Sequence, residues 1–264
     1  MHPFNYQNPK SVAEAAAFLA KGGDAKLLAG GQSLIAAMKL RLSAPTDLID
    51  LSGIKELAGM KTEGTVITIG AMTRHAEVAR SKDVLAGIPA LASLAGSIGD
   101  RMVRNMGTIG GALAHNDPVA DYPAAVLGLN ATVNTNKRKI GADAFFKDMF
   151  ETALEAGEII VSVSFPFPKR AAYVKFKNPA SRYAIVGVMA AETAGGVRVA
   201  VTGAASSVFR VAEMETALAA NWSPDSLAGI SVPADELNSD MHASAEYRAH
   251  LIGVIARRAV EAAR

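Results

Sequence analysis

The hydrophobic positions of the first fifty residues switch between helical and strand spacing. Apolar residues recur at helical spacing from Val12 to Leu19, after Ser11 as a suitable N-cap, and Gly22-Gly23 are expected to end this helix. The order strand, glycine turn, helix and strand follows, over residues 26–29, 30–33, 34–42 and 47–51. This order predicts a βαβ-like unit, in which phosphate groups commonly bind at the turn. We therefore expect a small α/β lobe over about residues 1–52.

The middle of the chain is less regular. Its apolar spacing predicts a strand, two helices, the two short strands of a hairpin and a further strand, over residues 66–70, 73–80, 89–98, 131–134, 139–140 and 159–165. The basic turn Asn136-Lys137-Arg138 is more typical of a solvated hairpin tip than of a phosphate site. Residues 99–118 show no period, and irregular stretches of that length are usually functional. We expect the second half of a binding site there.

The segment Phe165-Pro166-Phe167-Pro168 is the predicted domain boundary, because proline interrupts both strands and helices. Beyond it the pattern predicts antiparallel strands and two helices, over residues 173–177, 185–193, 197–202, 211–220 and 243–264. Gly195-Gly196 suits the tight turn between the last two strands. The predicted fold is α+β (mixed α/β), with a first domain over 1–168, in lobes of about 1–52 and 53–168, and a C-terminal domain over 169–264.

The composition excludes several classes of protein and site. The 27 basic residues nearly balance the 25 acidic ones, so no field for binding nucleic acid or an anionic membrane is predicted. Cysteine is absent from the 264 residues, which excludes disulfides, thiolate zinc sites and iron–sulfur clusters held by this chain. The five histidines show no ligand spacing, so no metal site is expected. The sequence shows no signal-peptide pattern and no apolar run near the ~20 residues that cross a bilayer, so we expect a cytoplasmic protein.

Two glycine-rich segments carry the candidate chemistry. They are Leu27-Leu28-Ala29-Gly30-Gly31-Gln32-Ser33-Leu34 and Arg104-Asn105-Met106-Gly107-Thr108-Ile109-Gly110-Gly111-Ala112-Leu113. Consecutive glycines let a pyrophosphate approach backbone N–H groups, and the Ser33 and Thr108 hydroxyls can add hydrogen bonds. Neither segment matches the Rossmann glycine pattern or a P-loop. Taken singly, each segment could equally be a tight turn.

Taken together and in this order, the two segments resemble the FAD-binding medium subunits of the carbon monoxide dehydrogenase and xanthine dehydrogenase group of molybdenum hydroxylases. The resemblance covers nearly the whole chain and continues through Ala114-His115-Asn116-Asp117-Pro118-Val119-Ala120-Asp121-Tyr122-Pro123-Ala124, Gly157-Glu158-Ile159-Ile160 and Lys177-Asn178-Pro179-Ala180-Ser181-Arg182-Tyr183-Ala184. It implies a two-lobed FAD-binding domain of the PCMH/vanillyl-alcohol-oxidase-like type. A C-terminal domain with an antiparallel sheet and helices would close over the flavin.

The resemblance also implies which residues bind FAD, and it implies no catalytic residue. Residues 27–34 and 108–112 would surround the diphosphate and ribityl chain, and Asp121 would hydrogen-bond the FAD at a sugar hydroxyl. Ile98 and Tyr183 would line the flavin ring, and Ile160 and Lys177 would contact its edge. The implied cofactor-binding residues are Leu27, Leu28, Ala29, Gly30, Gly31, Gln32, Ser33, Leu34, Ile98, Thr108, Ile109, Gly110, Gly111, Ala112, Asp121, Ile160, Lys177 and Tyr183.

Some of these residues have other interpretations, and one departs from the family. Ala112 stands where the family often has asparagine, so one side-chain hydrogen bond is missing or is replaced by backbone. Asp121 could be a helix N-cap, Tyr183 an ordinary packed aromatic and Lys177 an exposed strand lysine. His115 is expected to form hydrogen bonds within its loop instead of taking a metal or catalytic role.

The function implied by the resemblance is electron transfer within a complex. In the family, substrate is hydroxylated at a molybdopterin cofactor on a large subunit, and electrons pass through two [2Fe–2S] clusters on a small subunit to FAD and then to an external acceptor. Relatives assemble as dimers of three-chain units, that is, heterohexamers. The alternatives are a self-sufficient FAD-dependent oxidase or dehydrogenase of the same broad fold, and a non-catalytic scaffold whose glycines only form turns.

Overall fold

The computed structural model describes residues 1–21 and 23–264. Gly22, predicted to help end the first helix, lies outside the described residues. The strands are β1 (Asn5–Gln7), β2 (Ala25–Leu28), β3 (Asp47–Asp50), β4 (Met60–Glu63), β5 (Val66–Gly70), β6 (Thr132–Thr135), β7 (Lys139–Gly141), β8 (Phe146–Asp148), β9 (Glu151–Thr152), β10 (Ile160–Pro166), β11 (Arg170–Lys177), β12 (Ala184–Thr193), β13 (Gly196–Thr202) and β14 (Phe209–Arg210). The α-helices are α1 (Val12–Leu19), α2 (Leu34–Lys39), α3 (His75–Arg80), α4 (Lys82–Gly87), α5 (Pro89–Ser97), α6 (Arg101–Met106), α7 (Ile109–His115), α8 (Tyr122–Gly128), α9 (Ala142–Phe145), α10 (Ala212–Ala220) and α11 (Ala245–Ala262).

The first lobe is the α/β unit that the sequence predicts. Its three strands are parallel, in the order β1-β3-β2. Helix α1 begins after Ser11, whose hydroxyl accepts a hydrogen bond from the Glu14 N–H at 3.2 Å. Helix α2 ends at Lys39, earlier than the predicted Leu42, and Leu40 and Leu42 are exposed. Strand β1 was not predicted, because its three residues are too few to show an apolar alternation.

A five-stranded antiparallel sheet forms the centre of the next part of the chain, in the order β4-β5-β10-β6-β7. Apolar side chains of β5 and β10, among them Ile67, Ile69, Val163 and Phe165, are fully buried and pack with helices α5 and α8. The predicted hairpin tip at residues 136–138 is confirmed, since β6 pairs with β7 across it.

The prediction of an irregular stretch over residues 99–118 is wrong, because helices α6 and α7 lie there. The Asp100 carboxylate accepts hydrogen bonds from the Met102 and Val103 N–H groups and so begins α6. None of the side chains of α6 is buried, so this helix has no apolar face for a sequence pattern to detect. Helix α7 ends at His115, and its C-cap residue, Asn116, is in the left-handed conformation at φ 44°.

The C-terminal part is an antiparallel sheet, β11-β12-β13-β14, with α10 and α11 packed on one face, as predicted. The hairpin between β12 and β13 turns at Gly195-Gly196, where Gly196 has φ +110°. This sheet also packs on α8: the Arg198 guanidinium donates to the Leu127 carbonyl at 2.7 Å. The fold is therefore mixed α/β, as expected from the sequence. No described helix is long and apolar enough to cross a bilayer.

Candidate functional site

The first glycine segment connects β2 to α2 and carries a run of free backbone donors. Gly31 adopts φ +70°, a conformation that favours glycine. The Ile35 N–H donates to the Gly31 carbonyl and so begins the helix. By contrast, the N–H groups of residues 30–33 donate to no acceptor within the described chain, and Gln32 and Ser33 are exposed. Successive free N–H groups at the start of a helix are the donors that bind phosphate oxygens.

The backbone donors of residues 109–112 in the second segment are already used by the fold. Thr108 caps α7 by accepting a hydrogen bond from the Gly111 N–H at 3.2 Å. The Gly110 N–H donates to the Ala71 carbonyl at 2.8 Å, and the Ile109 N–H donates to the Thr73 carbonyl at 3.1 Å. The Ile109 side chain is fully buried. The two segments therefore differ: residues 30–33 have donors to offer, and residues 108–112 are anchored in the core.

The two segments lie against each other. A β-carbon added at Gly30 would come within 2.7 Å of the Gly107 Cα, and it would lie closer still to the Met106 carbonyl oxygen. One added at Gly111 would lie 3.3 Å from the Ala29 Cβ. The structure thus brings the predicted residues 27–34 and 108–112 together, and it does so because glycines leave room for the backbones to approach.

A second group of predicted residues meets where the C-terminal sheet approaches Ile98. The Arg182 guanidinium donates to the Gly99 carbonyl at 3.3 Å, and Arg104 donates to the Ile98 and Gly99 carbonyls at 2.8 Å and 3.1 Å. Tyr183, directly after Arg182, is half exposed. Burial raises the pKa of Tyr183, and nearby carboxylates raise it further. Those carboxylates are Asp117 and Asp121. Asp121 is joined to the same C-terminal sheet by its ion pair with Lys175, so we include it in the second group.

Asp121 is buried and bonded to the C-terminal sheet. Its Oδ1 accepts a hydrogen bond from the Tyr173 hydroxyl at 2.5 Å. The Lys175 Nζ lies 2.9 Å from Oδ1 and 3.1 Å from Oδ2. Burial raises the pKa of Asp121, and the Lys175 ammonium opposes that rise. Asp121 stands at the N-cap position of α8, but its side chain caps no N–H group there, so the N-cap interpretation does not describe the contacts of its carboxylate.

Tyr173 and Lys175 were not predicted from the sequence. The available signal was the strand alternation, which puts residues 173 and 175 on one face of β11 and therefore places a lysine on the same face as a buried tyrosine. A lysine on such a face needs a partner, because lysine is almost never fully buried unpaired. The carboxylate that could have been sought for it is Asp121.

The remaining predicted residues differ in accessibility. Lys177 is exposed at the end of β11 and pairs with Ala184, the residue after Tyr183. Ile160, at the start of β10, is only 5% exposed and packs in the interior of the five-stranded sheet, so its side chain offers little surface to a ligand. The His115 ring packs on Phe150 with centroids 5.0 Å apart. In the described part of the chain, no three His, Asp or Glu side chains are grouped to hold a metal ion.

The sequence matches two family profiles that together span almost the entire chain. Residues 2–168 match the FAD binding domain in molybdopterin dehydrogenase, and residues 171–263 match the CO dehydrogenase flavoprotein C-terminal domain. The chain is 37% identical to the carbon monoxide dehydrogenase medium chain of Hydrogenophaga pseudoflava, over 98% of this chain and 96% of that one. It is 34% identical to the nicotine 6-hydroxylase medium subunit of Paenarthrobacter nicotinovorans, over 97% and 95% of the two chains.

A solved structure shows the same fold. Carbon monoxide dehydrogenase from Hydrogenophaga pseudoflava, in a form that lacks the Mo-pyranopterin moiety of its molybdenum cofactor, superposes with a TM-score of 0.88 at 36% identity. The superposition covers 99% of this chain and 98% of that one. The similarity therefore extends over both halves of the fold.

Proposed function

The chain belongs to the family of FAD-binding medium subunits of molybdenum hydroxylases, and from this premise we propose that it transfers electrons from a partner subunit of a heteromeric complex to an external acceptor. It is an oxidoreductase subunit with FAD as its cofactor. When bound, FAD would accept electrons from the [2Fe–2S] clusters of a partner subunit and release them to an external acceptor. Substrate would be oxidised on a different chain, which holds the molybdopterin.

The observation that carries the proposal is the contact between the two glycine segments, with the free N–H groups of residues 30–33 beside it. A diphosphate needs several hydrogen-bond donors and no side chain that blocks its approach. The free N–H groups of residues 30–33 and the adjoining glycine contact, which we call the cradle, meet both needs. We assign the diphosphate contacts to the backbone of residues 30–33. Residues 108–112 would border the cofactor and hold the first segment in place.

The rest of the site is assigned from the second group of residues. Asp121 would accept a hydrogen bond from a sugar hydroxyl of FAD, and Ile98 and Tyr183 would line the flavin ring. Lys177 would approach the ring edge from the end of β11. Ile160 would lie behind the residues that contact the flavin ring, since its side chain is buried. None of these residues is assigned a catalytic role, because transferring electrons requires placement and tuning of the flavin and no general base.

The proposed domain division follows the predicted one, with residues 1–168 and 169–264 as two domains and lobes of about 1–52 and 53–168 in the first. Supporting it are the two profiles, which meet between residues 168 and 171, and the change from the five-stranded sheet to the C-terminal sheet there. In this division, the C-terminal domain contributes Lys177 and Tyr183 to a site built mainly by the first domain.

The proposed partners are a large molybdopterin-binding subunit and a small [2Fe–2S] subunit, assembled as a dimer of heterotrimers. The absence of cysteine supports a separate cluster-bearing chain, because protein-bound iron–sulfur clusters need thiolate ligands. Relatives are medium subunits and medium chains of such enzymes. A cytoplasmic location is part of the same proposal.

The test is a visible absorption spectrum of the chain purified from its native host with the partners it retains. Flavin bands overlapped by iron–sulfur absorption, with two further polypeptides present, are expected. A flavin-free preparation that stays colourless after FAD is added would reject the proposal. Yellow protein that oxidises a small organic substrate with no partner chain would favour the self-sufficient oxidase instead.

A further inference from the structure

The buried ion pair between Asp121 and Lys175 joins the two halves of the candidate site. Asp121 precedes α8 in the first half of the chain, and Lys175 lies on β11 in the C-terminal sheet. The side chains are 3% and 6% exposed. Removing two charges from water is costly, and burying them in contact is acceptable only where their geometry and further hydrogen bonds compensate. Here Tyr173 supplies such a bond.

The segment that carries Asp121 is held by the same sheet at two more points. The Thr202 hydroxyl donates to the Ala120 carbonyl at 2.7 Å and the Pro118 carbonyl at 3.1 Å. The Gly203 N–H also donates to Pro118, at 2.9 Å. Residues 118–121 are therefore fixed by β11 and by the end of β13, so the C-terminal sheet determines where the Asp121 carboxylate lies.

The hydrogen bonds of Asp121 leave room for one more donor. An ionised carboxylate has about four lone-pair positions. The Tyr173 hydroxyl and the two contacts of the Lys175 ammonium occupy three of them. A hydroxyl of a ligand could reach the fourth only through the 3% of the side chain that stays exposed, and only if the carboxylate stays ionised and keeps its orientation.

We propose that Lys175 and Tyr173 are positioning residues for FAD, which hold the Asp121 carboxylate ionised and oriented so that it accepts a hydrogen bond from an FAD hydroxyl. The inference rests on the proposed function and extends it, because the C-terminal sheet completes the cofactor site through residues that do not touch the cofactor. Lys175 acts through Asp121 and is thus distinct from Lys177, which is assigned to the ring edge.

Removing the Lys175 charge has a defined electrostatic consequence. The groups that face Asp121 are Lys175 and Tyr173 from β11, Tyr122 from α8 and Tyr183 before β12. Only Lys175 among these four is a cation. Without it, burial would raise the pKa of Asp121 further with no opposing charge, and the carboxyl group would keep its proton to a higher pH. A protonated Asp121 would present a different hydrogen-bonding pattern to FAD.

The experiment compares Lys175→Met with Lys169→Met in the full chain purified with the partners it retains, stripped of flavin and titrated with FAD from pH 6 to pH 9. Lys169 is an exposed lysine beside the same sheet, paired with Glu192 at 2.9 Å, and serves as the control. We expect wild type and Lys169→Met to bind FAD alike. Lys175→Met should bind at least about tenfold more weakly at pH 7 and recover affinity as pH rises. Adding Asp121→Asn to Lys175→Met should abolish that recovery.

Two further variants guard against a simple folding defect. Lys175→Arg keeps the charge and should restore most of the affinity. Tyr173→Phe keeps the ion pair and should weaken binding by about tenfold or more, the size expected for one hydrogen bond to a charged group. Lys175→Met with wild-type affinity, or with reduced affinity and a wild-type pH profile, would overturn the inference. Wild type that binds no FAD at any pH would reject the proposed function itself.

Discussion

Gly30 packs directly on Gly107, and a β-carbon at position 30 would come within 2.7 Å of the Gly107 Cα. This contact joins two segments that are 77 positions apart in the sequence (107 − 30). Because the neighbour is backbone and not a flexible side chain, it cannot move aside without moving the whole second segment. The position of the free N–H groups of residues 30–33 therefore depends on glycine at position 30.

We predict that Gly30→Ala weakens FAD binding by at least about tenfold, since the added methyl group forces the two segments apart. The matched control is Gly141→Ala, because a β-carbon there meets no atom within 4 Å. Fluorescence titration with FAD measures both variants. Equal affinity of Gly30→Ala and the control would show that the cradle is not the diphosphate site.

The sequence predicted most of the fold, and its failures have physical causes. Long elements with a regular apolar period, such as β5 and the strands β12 and β13, were predicted close to their observed bounds. Helix α6 was missed because it buries no side chain and its start is signalled locally by its N-cap, Asp100. Helix α7 was missed because it begins with Ile109-Gly110-Gly111, and consecutive glycines are more typical of a turn. Short strands such as β1 and β4 have too few residues to show a period, and they depend on their partners in the sheet.

The candidate site was predictable only in part, for a related reason. Glycine-rich segments are visible in a sequence because few other residues allow such turns. Sequence alone cannot distinguish the free N–H groups of residues 30–33 from the bonded N–H groups of residues 109 and 110. The difference arises because the distant Thr73 and Ala71 carbonyls accept hydrogen bonds from residues 109 and 110. The pairing of Asp121 with Lys175 spans the two halves of the chain and needs the tertiary structure.

A second prediction concerns Tyr183, which is assigned to the flavin ring and is 50% exposed. Tyr183→Ala should alter the visible absorption envelope of the bound flavin, because a neighbouring aromatic ring is lost. Its effect on the free energy of unfolding should stay within about 0.5 kcal/mol, as for other exposed positions. Tyr247→Ala is the control, since Tyr247 on α11 is similarly exposed at 43%. An unchanged flavin spectrum in Tyr183→Ala would count against the ring contact.

Gly110 offers a third test, in which stability and binding should change together. A β-carbon there would come within 2.5 Å of the Ala71 Cβ. We expect Gly110→Ala to lower the free energy of unfolding by roughly 1–3 kcal/mol, the usual cost of overpacking a core. FAD affinity should fall as well, because α7 would shift away from the first segment. Urea unfolding and FAD titration of the same preparation provide the two readouts. Unimpaired stability would contradict the close packing of Gly110 on Ala71.

The last prediction concerns acid sensitivity and rests on His75, the buried first residue of α3. Its ring packs on Tyr122 with centroids 5.2 Å apart, and its Nε2 faces Gly107. Burial, with a smaller effect of the Arg104 charge, lowers the pKa of His75 to about 4. In the unfolded chain, His75 should titrate near its ordinary pKa of about 6.5.

The sign of the effect follows from these two pKa values. Between about pH 6.5 and pH 4, the unfolded chain binds a proton at His75 that the folded chain does not bind, so stability must fall as the pH falls through this window. The full effect is roughly 3 kcal/mol, because one unit of pKa difference corresponds to about 1.4 kcal/mol.

Urea unfolding of wild type and His75→Gln at pH 7.5 and pH 4.5 isolates this contribution, since the other titrating groups are common to both proteins. Wild type should lose about 2–3 kcal/mol more than His75→Gln between the two pH values. Equal losses would mean that His75 is protonated in the folded protein. The description of His75 as a buried, uncharged ring that packs against Gly107 would then be wrong.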